Sequence, residues 1–330
     1  MTRLPQSYLQ ERTDAGETAF VTRALEYIET QTYDILFPPL EGRKYVPIMV
    51  TGEPGAKVHT YRQYKKTGMA KIVTEEGQDL PTAGFSVAEF FRQYYRLGVS
   101  YEYTLDDLLA AQLATRNGQA VNIDLSKAEA ARTAMERAID LACAIGSATS
   151  SSIPGASVGI GPDVGMTGLL NQASASTYTP ATGAAGSTAW SLKTPDEKIA
   201  DIVGLINSQV DGTYKIHTPN RILMPIAQYN VARGQRMGDG SDDNVISYLL
   251  KTYAGLSIDS WQFCKGAGTA GVDRMVAFNS DPKNLRMVIS QEFMQMPPQY
   301  QNFRFKIPCG AKILGCICPY PLSVTYMDGI

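Results

Sequence analysis

Apolar positions recur at helical spacing over residues 124–145, DLSKAEAARTAMERAIDLACAI. Leu125, Ala128, Ala131, Met135, Ala138, Ala142 and Ile145 form one face, and Lys127, Glu129, Arg132, Glu136, Arg137 and Asp140 dominate the other. Asp124 can cap this helix and Gly146 can end it. At about 1.5 Å per residue it is roughly 30 Å long, with an alanine-rich stripe that admits close approach of a sheet. The pattern predicts a spine on which other elements are laid. Residues 13–34 predict a second amphipathic helix, with Phe20, Val21, Ala24, Leu25 and Ile28 on one side, stopped by Pro38 and Pro39. A third starts at Thr104, with Leu105, Leu108, Leu109 and Leu113 as its stripe, and is expected to pack beside the spine.

Strand patterns come next. YVPIMV, residues 45–50, reads as a short strand. Residues 57–66, KVHTYRQYKK, are extended but have no clean apolar face: Val58, Thr60, Arg62 and Tyr64 alternate with His59, Tyr61, Gln63 and Lys65. Neither face can found a core. A turn at Thr67 and Gly68 would let residues 69–74 pair back, giving a hairpin about 33 Å long at roughly 3.3 Å per residue. The return through residues 85–104 is aromatic, with Phe85, Phe90, Phe91, Tyr94, Tyr95, Tyr101 and Tyr103. Such a hairpin is marginal by itself. It is either folded over its own domain or held by a neighbouring subunit, and in the second case Tyr61, Arg62, Tyr64, Lys65, Lys66, Met69 and Lys71 are the candidate inter-subunit contacts.

Beyond Gly146 the composition turns to Ser, Thr, Gly, Ala and Pro up to Trp190, with the island MTGLLN, residues 166–171, as its anchor. TPDE at 194–197 is a capping box with proline at the first helical position, opening an α/β module of helices over a small sheet. Within it RILMPI, LSIDSWQF and RMVAF read as strands, and Ser241 as the cap of a helix through SDDNVISYLLKTY. In NFRFKI, Phe303, Phe305 and Ile307 are expected inward; Gly310 is expected to turn the chain into the central strand AKILGCIC; and LSVTYM closes with Leu322, Val324 and Tyr326 on one side. The spine would cover these last strands, so that residues 101–147 and 280–330 form one domain with the module inserted between them.

Composition narrows the function. The chain has 330 residues, 44% hydrophobic, enough for a large core. Thirty Lys and Arg against 32 Asp and Glu give a net charge of -2, which is no footprint for tight phosphate binding. No run of about 18 apolar residues and no signal-like start is present, so an unprocessed, non-membrane, cytoplasmic product is expected, and five cysteines fit a reducing compartment. His59 and His217 lie in no catalytic motif, and GxSxG, HExxH and CxxC are absent. Cys316 and Cys318 read as buried small hydrophobes, while Asp106 with Asp107 and Asp242 with Asp243 read as helix first turns. GIGPDVG, residues 159–165, lacks both the strand and the spacing of a phosphate loop. No catalytic, cofactor-binding or metal-binding residue is assigned. An α/β enzyme with its site in the 147–190 loop is the alternative of another class, and lacks a nucleophile motif.

AFVTRALEYIETQTYDILFPPLEGRKYVPI, TYRQYKKTGMAKIV followed by DLP, MTGLLN and NFRFKIPCGAKILGCICPYPLSVTYMDGI resemble the tailed-bacteriophage major capsid proteins with the Hong Kong 97-type fold, a family related to encapsulin shells. The resemblance implies an α+β capsid fold: an N-terminal arm at 1–44, an extended E-loop at 45–100, a P domain at 101–193 with its spine helix at 124–145 and Gly/Ser-rich loop at 147–190, an A domain at 194–279, and P-domain return strands at 280–330. It implies a non-enzymatic protein that assembles with itself into pentamers and hexamers of an icosahedral head around double-stranded DNA. Cement, scaffold and portal proteins would be its further partners, with only non-specific proximity to DNA and no membrane. An encapsulin-like compartment enclosing cargo shares this fold and remains the nearer alternative. Some members cross-link through lysine and asparagine; Lys65, Lys66 and Lys71 stand where a lysine would be needed, with no partner asparagine or promoting carboxylate identified.

Overall fold

From Pro38 and Pro39 the chain enters a single helical turn, α1 (Gly42–Tyr45), and then a short strand, β1 (Ile48–Val50). The computed structural model describes residues 38–72, 80–116, 123–157, 159–238 and 242–330, so the predicted 13–34 helix and Ser241 lie outside the described residues. The expected 45–50 strand is shortened at its start. Tyr45 ends α1 instead, buried with its hydroxyl 3.0 Å from the Ser260 carbonyl and its ring edge-on to Trp261.

Strands β2 (Val58–Thr67) and β3 (Gly84–Gln93) pair antiparallel over ten rungs, from Val58 opposite Gln93 to Thr67 opposite Gly84. This corrects the expected pairing of β2 with residues 69–74. Phe85, Val87, Phe90 and Phe91 offer β2 better cross-strand partners than MAKIVT does, and residues 69–72 leave the ladder. Strand β4 (Tyr95–Thr104) runs directly into α2 (Leu105–Arg116), which a Thr104–Asp107 capping box starts: each residue's amide donates to the other's side chain, at 3.2 and 3.1 Å. The strand therefore sets the direction of α2, and its leucines do not pack on the next helix as expected. Leu105, Leu109 and Leu113 face solvent, while Lys127 of α3 (Ile123–Ile145) reaches across to Asp107 at 3.3 Å.

Helix α3 is the spine. Ala131, Met135, Ile139, Ala142 and Ile145 are buried, and from Ile139 onward the helix has no exposed side. Asp140, which the pattern puts on the charged surface, is 3% exposed because α1 packs on that side and Gly42 donates its amide to Asp140 Oδ1.

The 166–171 island then supplies what the end of α3 lacks, since the last carbonyls of a helix need outside donors. The Leu169 and Leu170 amides bind the Cys143 and Ala144 carbonyls, both at 2.8 Å, and Asn171 Nδ2 binds that of Ile145 at 2.7 Å. The approach is so close that a Cβ on Gly168 would lie 2.3 Å from the Ala144 carbonyl carbon. Gly146 takes φ +65°, the left-handed cap the sequence predicts.

After β5 (Ser176–Tyr178), the predicted capping box starts α4 (Pro195–Gly212) with both of its reciprocal bonds. There follow β6 (Arg221–Met224), α5 (Ile226–Gly234), α6 (Val245–Thr252), β7 (Ser257–Ser260), β8 (Arg274–Phe278), β9 (Arg286–Gln295), β10 (Gln299–Gln301), β11 (Arg304–Ile317) and β12 (Val324–Asp328). Asn244, whose side chain accepts from Ser247 at 2.8 Å, caps α6 where Ser241 was expected to. LSIDSWQF is a strand only through Ser260; Trp261 and Phe263 go on to a buried turn.

In the first sheet β11 is central, with β4 along one edge and β9 and β10 along the other, and β1 lies parallel to β9. Gly310 does not turn the chain; it is an interior rung of the 14-residue β11, opposite Gly98. Phe303 is 73% exposed rather than inward, because it belongs to the turn between β10 and β11, where Asn302 takes φ +53°. The second sheet has the order β5-β12-β8-β6-β7. The last strand thus leaves the sheet that the preceding return strands join. Val324 and Tyr326 still face the first core, whereas Leu322, expected on the same side, sits in the preceding turn and is exposed.

Two main cores result within the compact unit Leu40–Ile330. One joins α3, the island and β9 and β11; the other gathers Trp190, α4, and the second face of β6, β8 and β12.

Candidate assembly surface

The β2–β3 hairpin has two unequal faces, because directly opposed residues of an antiparallel pair point the same way. On one face His59, Tyr61 and Gln63 are half-buried against the chain's own body. His59 Nδ1 lies 3.1 Å from the Tyr94 hydroxyl, Tyr61 packs on the cluster of Tyr94, Val288, Leu314 and Ile317, and Gln63 Nε2 donates to the Pro319 carbonyl. Burial, with Arg286 nearby, holds the His59 imidazole below its usual pKa, and burial raises the Tyr61 phenol. These contacts root the hairpin, and the described residues of its far end, from Tyr64 on, are exposed.

The opposite face carries Val58, Thr60, Arg62, Tyr64 and Lys66 on β2 and Phe85, Val87, Glu89 and Phe91 on β3. Val58, Tyr64, Phe85, Val87 and Phe91 are 48, 63, 72, 46 and 64% exposed. An Arg62–Glu89 ion pair of 2.7 Å crosses the ladder between Tyr64–Val87 and Thr60–Phe91, tying the strands without covering the rings. Two strands have produced an outward apolar strip, flanked at the tip by Met69 at 85% and Ile72 at 100% exposure. A contiguous exposed apolar face of this kind is a candidate interaction surface.

The structure distributes the sequence-derived contact residues unevenly. Tyr64, Lys66 and Arg62 share the outward face; Tyr61 stacks on Phe90, centroids 5.2 Å apart, on the side turned to the body. Lys65 has the parity of the inner face but lies past the body and is exposed, and Met69 and Lys71 are exposed beyond the strand. Phe85, Val87 and Phe91 were missed as site residues. The period-2 run in GFSVAEFFRQ was the available signal, once paired with β2.

A second apolar surface lies at the far end of the spine. Leu105, Leu109 and Leu113 are 36, 53 and 59% exposed, and the Leu105 amide binds the Phe303 carbonyl at 2.9 Å, so that the stripe adjoins the exposed Phe303. In the α/β module, Tyr214 and Ile216 are exposed on a turn where Tyr214 and Lys215 take φ +50° and +65°.

Among the described residues no group of three or more His, Cys, Asp and Glu side chains is placed to hold a metal ion, and no helix is long and apolar enough to cross a membrane. All five cysteines are buried free thiols; burial pushes Cys316 up to about 12 and raises Cys318. Asp163 of the glycine-rich segment is occupied locally, accepting from the Ser147 hydroxyl at 2.7 Å and the Gly165 amide at 3.0 Å, which hold its carboxyl below the usual range.

Residues 68–330 match the family model described as major capsid protein. The chain belongs to the major capsid protein family. This is a structural family, not an enzyme family, and its members assemble into capsid shells. The capsid protein has the fold of solved capsids despite low identity: the capsid of Myoviridae phage XM1 superposes with a TM-score of 0.76 at 18% identity, over 93% of this chain and 98% of that one. The capsid of a native GTA particle gives 0.62 at 11% identity, covering 92% and 94% of the two chains. The virus-like particle from Pyrococcus furiosus gives 0.52 at 11% identity, covering 86% and 91%. No curated protein matches. The α+β, Hong Kong 97-type fold expected from the sequence is the fold observed.

Proposed function

We propose that this capsid protein forms pentamers and hexamers that close into the icosahedral head of a tailed phage around double-stranded DNA, and that the outward face of the β2–β3 hairpin is buried on the neighbouring subunit. The observation that carries this reading is the hairpin itself: ten rungs of strand whose aromatic side finds no core among the described residues. An isolated two-stranded ribbon is marginal in water, and a partner's surface supplies the missing burial. Closed symmetry then repeats the contact around each ring. In this reading residues 1–44 are the N-terminal arm, 45–100 the E-loop, 101–193 with 280–330 the P domain and 194–279 the A domain. The leucine stripe of α2 with Phe303 is a further contact between copies. Assembly takes place in the host cytoplasm, with scaffold, cement and portal proteins as partners.

The test is electron microscopy of the chain expressed alone and fractionated by size. Closed shells or capsomer rings are expected. A discrete monomer or dimer under assembly conditions, both alone and with the phage's other head proteins, would refute the proposal. The fold is shared with the virus-like particle from Pyrococcus furiosus, and the second reading is a shell that encloses protein cargo. Extraction of the particle contents separates the two: DNA supports the head and a single enriched protein supports the compartment.

A further inference from the structure

We propose that the junction of α1 with the spine helix is an acid-set latch: protonation of Asp140 tightens the docking of α1, and ionisation loosens it. Asp140 is the one deeply buried carboxylate among the described residues of this junction, 3% exposed. Its Oδ1 accepts the Gly42 amide, and its Oδ2 has no hydrogen-bond partner among the described residues. The approach of the two helices is tight enough that a Cβ on Gly42 would lie 2.6 Å from Oδ1 and 2.9 Å from the Cys143 Cβ. Any change at this carboxyl is therefore felt directly by α1.

The surrounding charges do not neutralise it. On the α1 side stand Glu41, Arg43 and Lys44; on α3, Glu136; on β9, Glu292. Arg43 is committed elsewhere, with Nε 2.9 Å from Glu136 and Nη2 3.1 Å from Glu292, and Lys44 lies 3.7 Å from Glu41 and 4.0 Å from Asp259. The thiol of Cys143, on α3 itself, and that of Cys316, which reaches the Cys143 carbonyl, are held neutral by burial. With Asp140 ionised, the deepest carboxylate of this group has no counter-charge among the described residues. Burial first, and then Glu41 and Glu136, raise the Asp140 carboxyl to about 6, against the opposing pull of the Gly42 and Glu41 amides. Undocking α1 returns the group to water, where an aspartate titrates near 4. The docked form thus holds the proton more tightly, so docking is strongest below about pH 4 and weakens as pH rises through 6. Between pH 5 and pH 8 the docking constant falls about tenfold.

The experiment is hydrogen exchange by mass spectrometry on the full chain, following the 41–46 segment at pH 5 and pH 8 with correction for intrinsic rates. About tenfold greater protection at pH 5 is expected. Asp140→Asn keeps the Gly42 acceptor and fixes the neutral form, so protection should become independent of pH; Gly42→Ala forces α1 away and should lose both protection and pH response. Equal protection of the wild type at both pH values would overturn the proposal, as would a tenfold response that survives in a folded variant. If one variant fails to fold by circular dichroism, the wild-type comparison and the other variant decide.

Discussion

Replacing Tyr64, Phe85 and Phe91 together by serine separates folding from assembly. The three side chains are 63, 72 and 64% exposed, so in the isolated subunit they contribute little burial, and the triple variant should melt within about 1 kcal/mol of the wild type. Assembly is another matter. An aromatic side chain presents about 200 Å², of which some two-thirds is open here, or about 130 Å² each. At about 25 cal/mol per Å² full coverage is worth about 3 kcal/mol per residue, and half coverage of all three about 5 kcal/mol per subunit. One factor of ten corresponds to about 1.4 kcal/mol, so the protein concentration needed for assembly should rise more than a thousandfold. Light scattering against concentration, with sedimentation of the products, measures that threshold, and thermal denaturation of the unassembled chain checks the fold. Shells forming at the wild-type concentration would refute the reasoning, since the strip would then be uncovered in the particle. An unfolded triple variant would refute it differently, by showing that these rings belong to the subunit's own core.

Cutting the hairpin above its root tests the same division: exchanging residues 64–87 for a two-residue turn keeps Tyr61 and Gln63 on the body and should leave a folded chain by circular dichroism that yields no closed particles in micrographs. Asp201→Ala strands the buried Lys193 ammonium, 2.5 Å away, and the Trp190 indole N–H, 2.9 Å away, and should cost about 3–5 kcal/mol in urea titration. The paired change Lys193→Met with Asp201→Leu should recover most of that loss, and a pair no more stable than the single variant would count against an uncompensated charge as the cause. Gly168→Ala drives a methyl into the Ala144 carbonyl and should destabilise by about 3 kcal/mol, read as a fall in melting temperature; an unchanged midpoint would mean that the island does not hold the spine's end this tightly. The Arg274–Asp328 pair, 2.6 Å long, holds the Asp328 carboxyl below its usual range even though burial opposes it. Its contribution is therefore present above about pH 4 and is lost as pH falls further, and Asp328→Asn should flatten the acid limb of the stability profile.

Elements with a strong local period were legible from the residues alone. The spine, the Thr194 capping box, RILM, RMVAF and the long run through AKILGCI were visible because helix spacing, capping and continuous apolarity are properties of neighbours in sequence. The island was legible as an anchor, but its task was not, since it depends on carbonyls left open at the end of a helix some twenty residues earlier. Choices between distant segments were not legible in this way. Either 69–74 or 84–93 could follow the turn after β2, and the choice fell to the aromatic partners of β3. Asp140 belonged with the charges by period and went inward because α1 packs over it. The leucines of α2 belonged with a core by period and stayed outside because β4 sets the direction of the helix. At the β2–β3 hairpin, the residues of β2 alone show too little apolar surface for that strand to stand by itself. Which side is apolar depends on the fold, because a strand's face acquires its character from the partner opposite it, and that partner is chosen by long-range pairing.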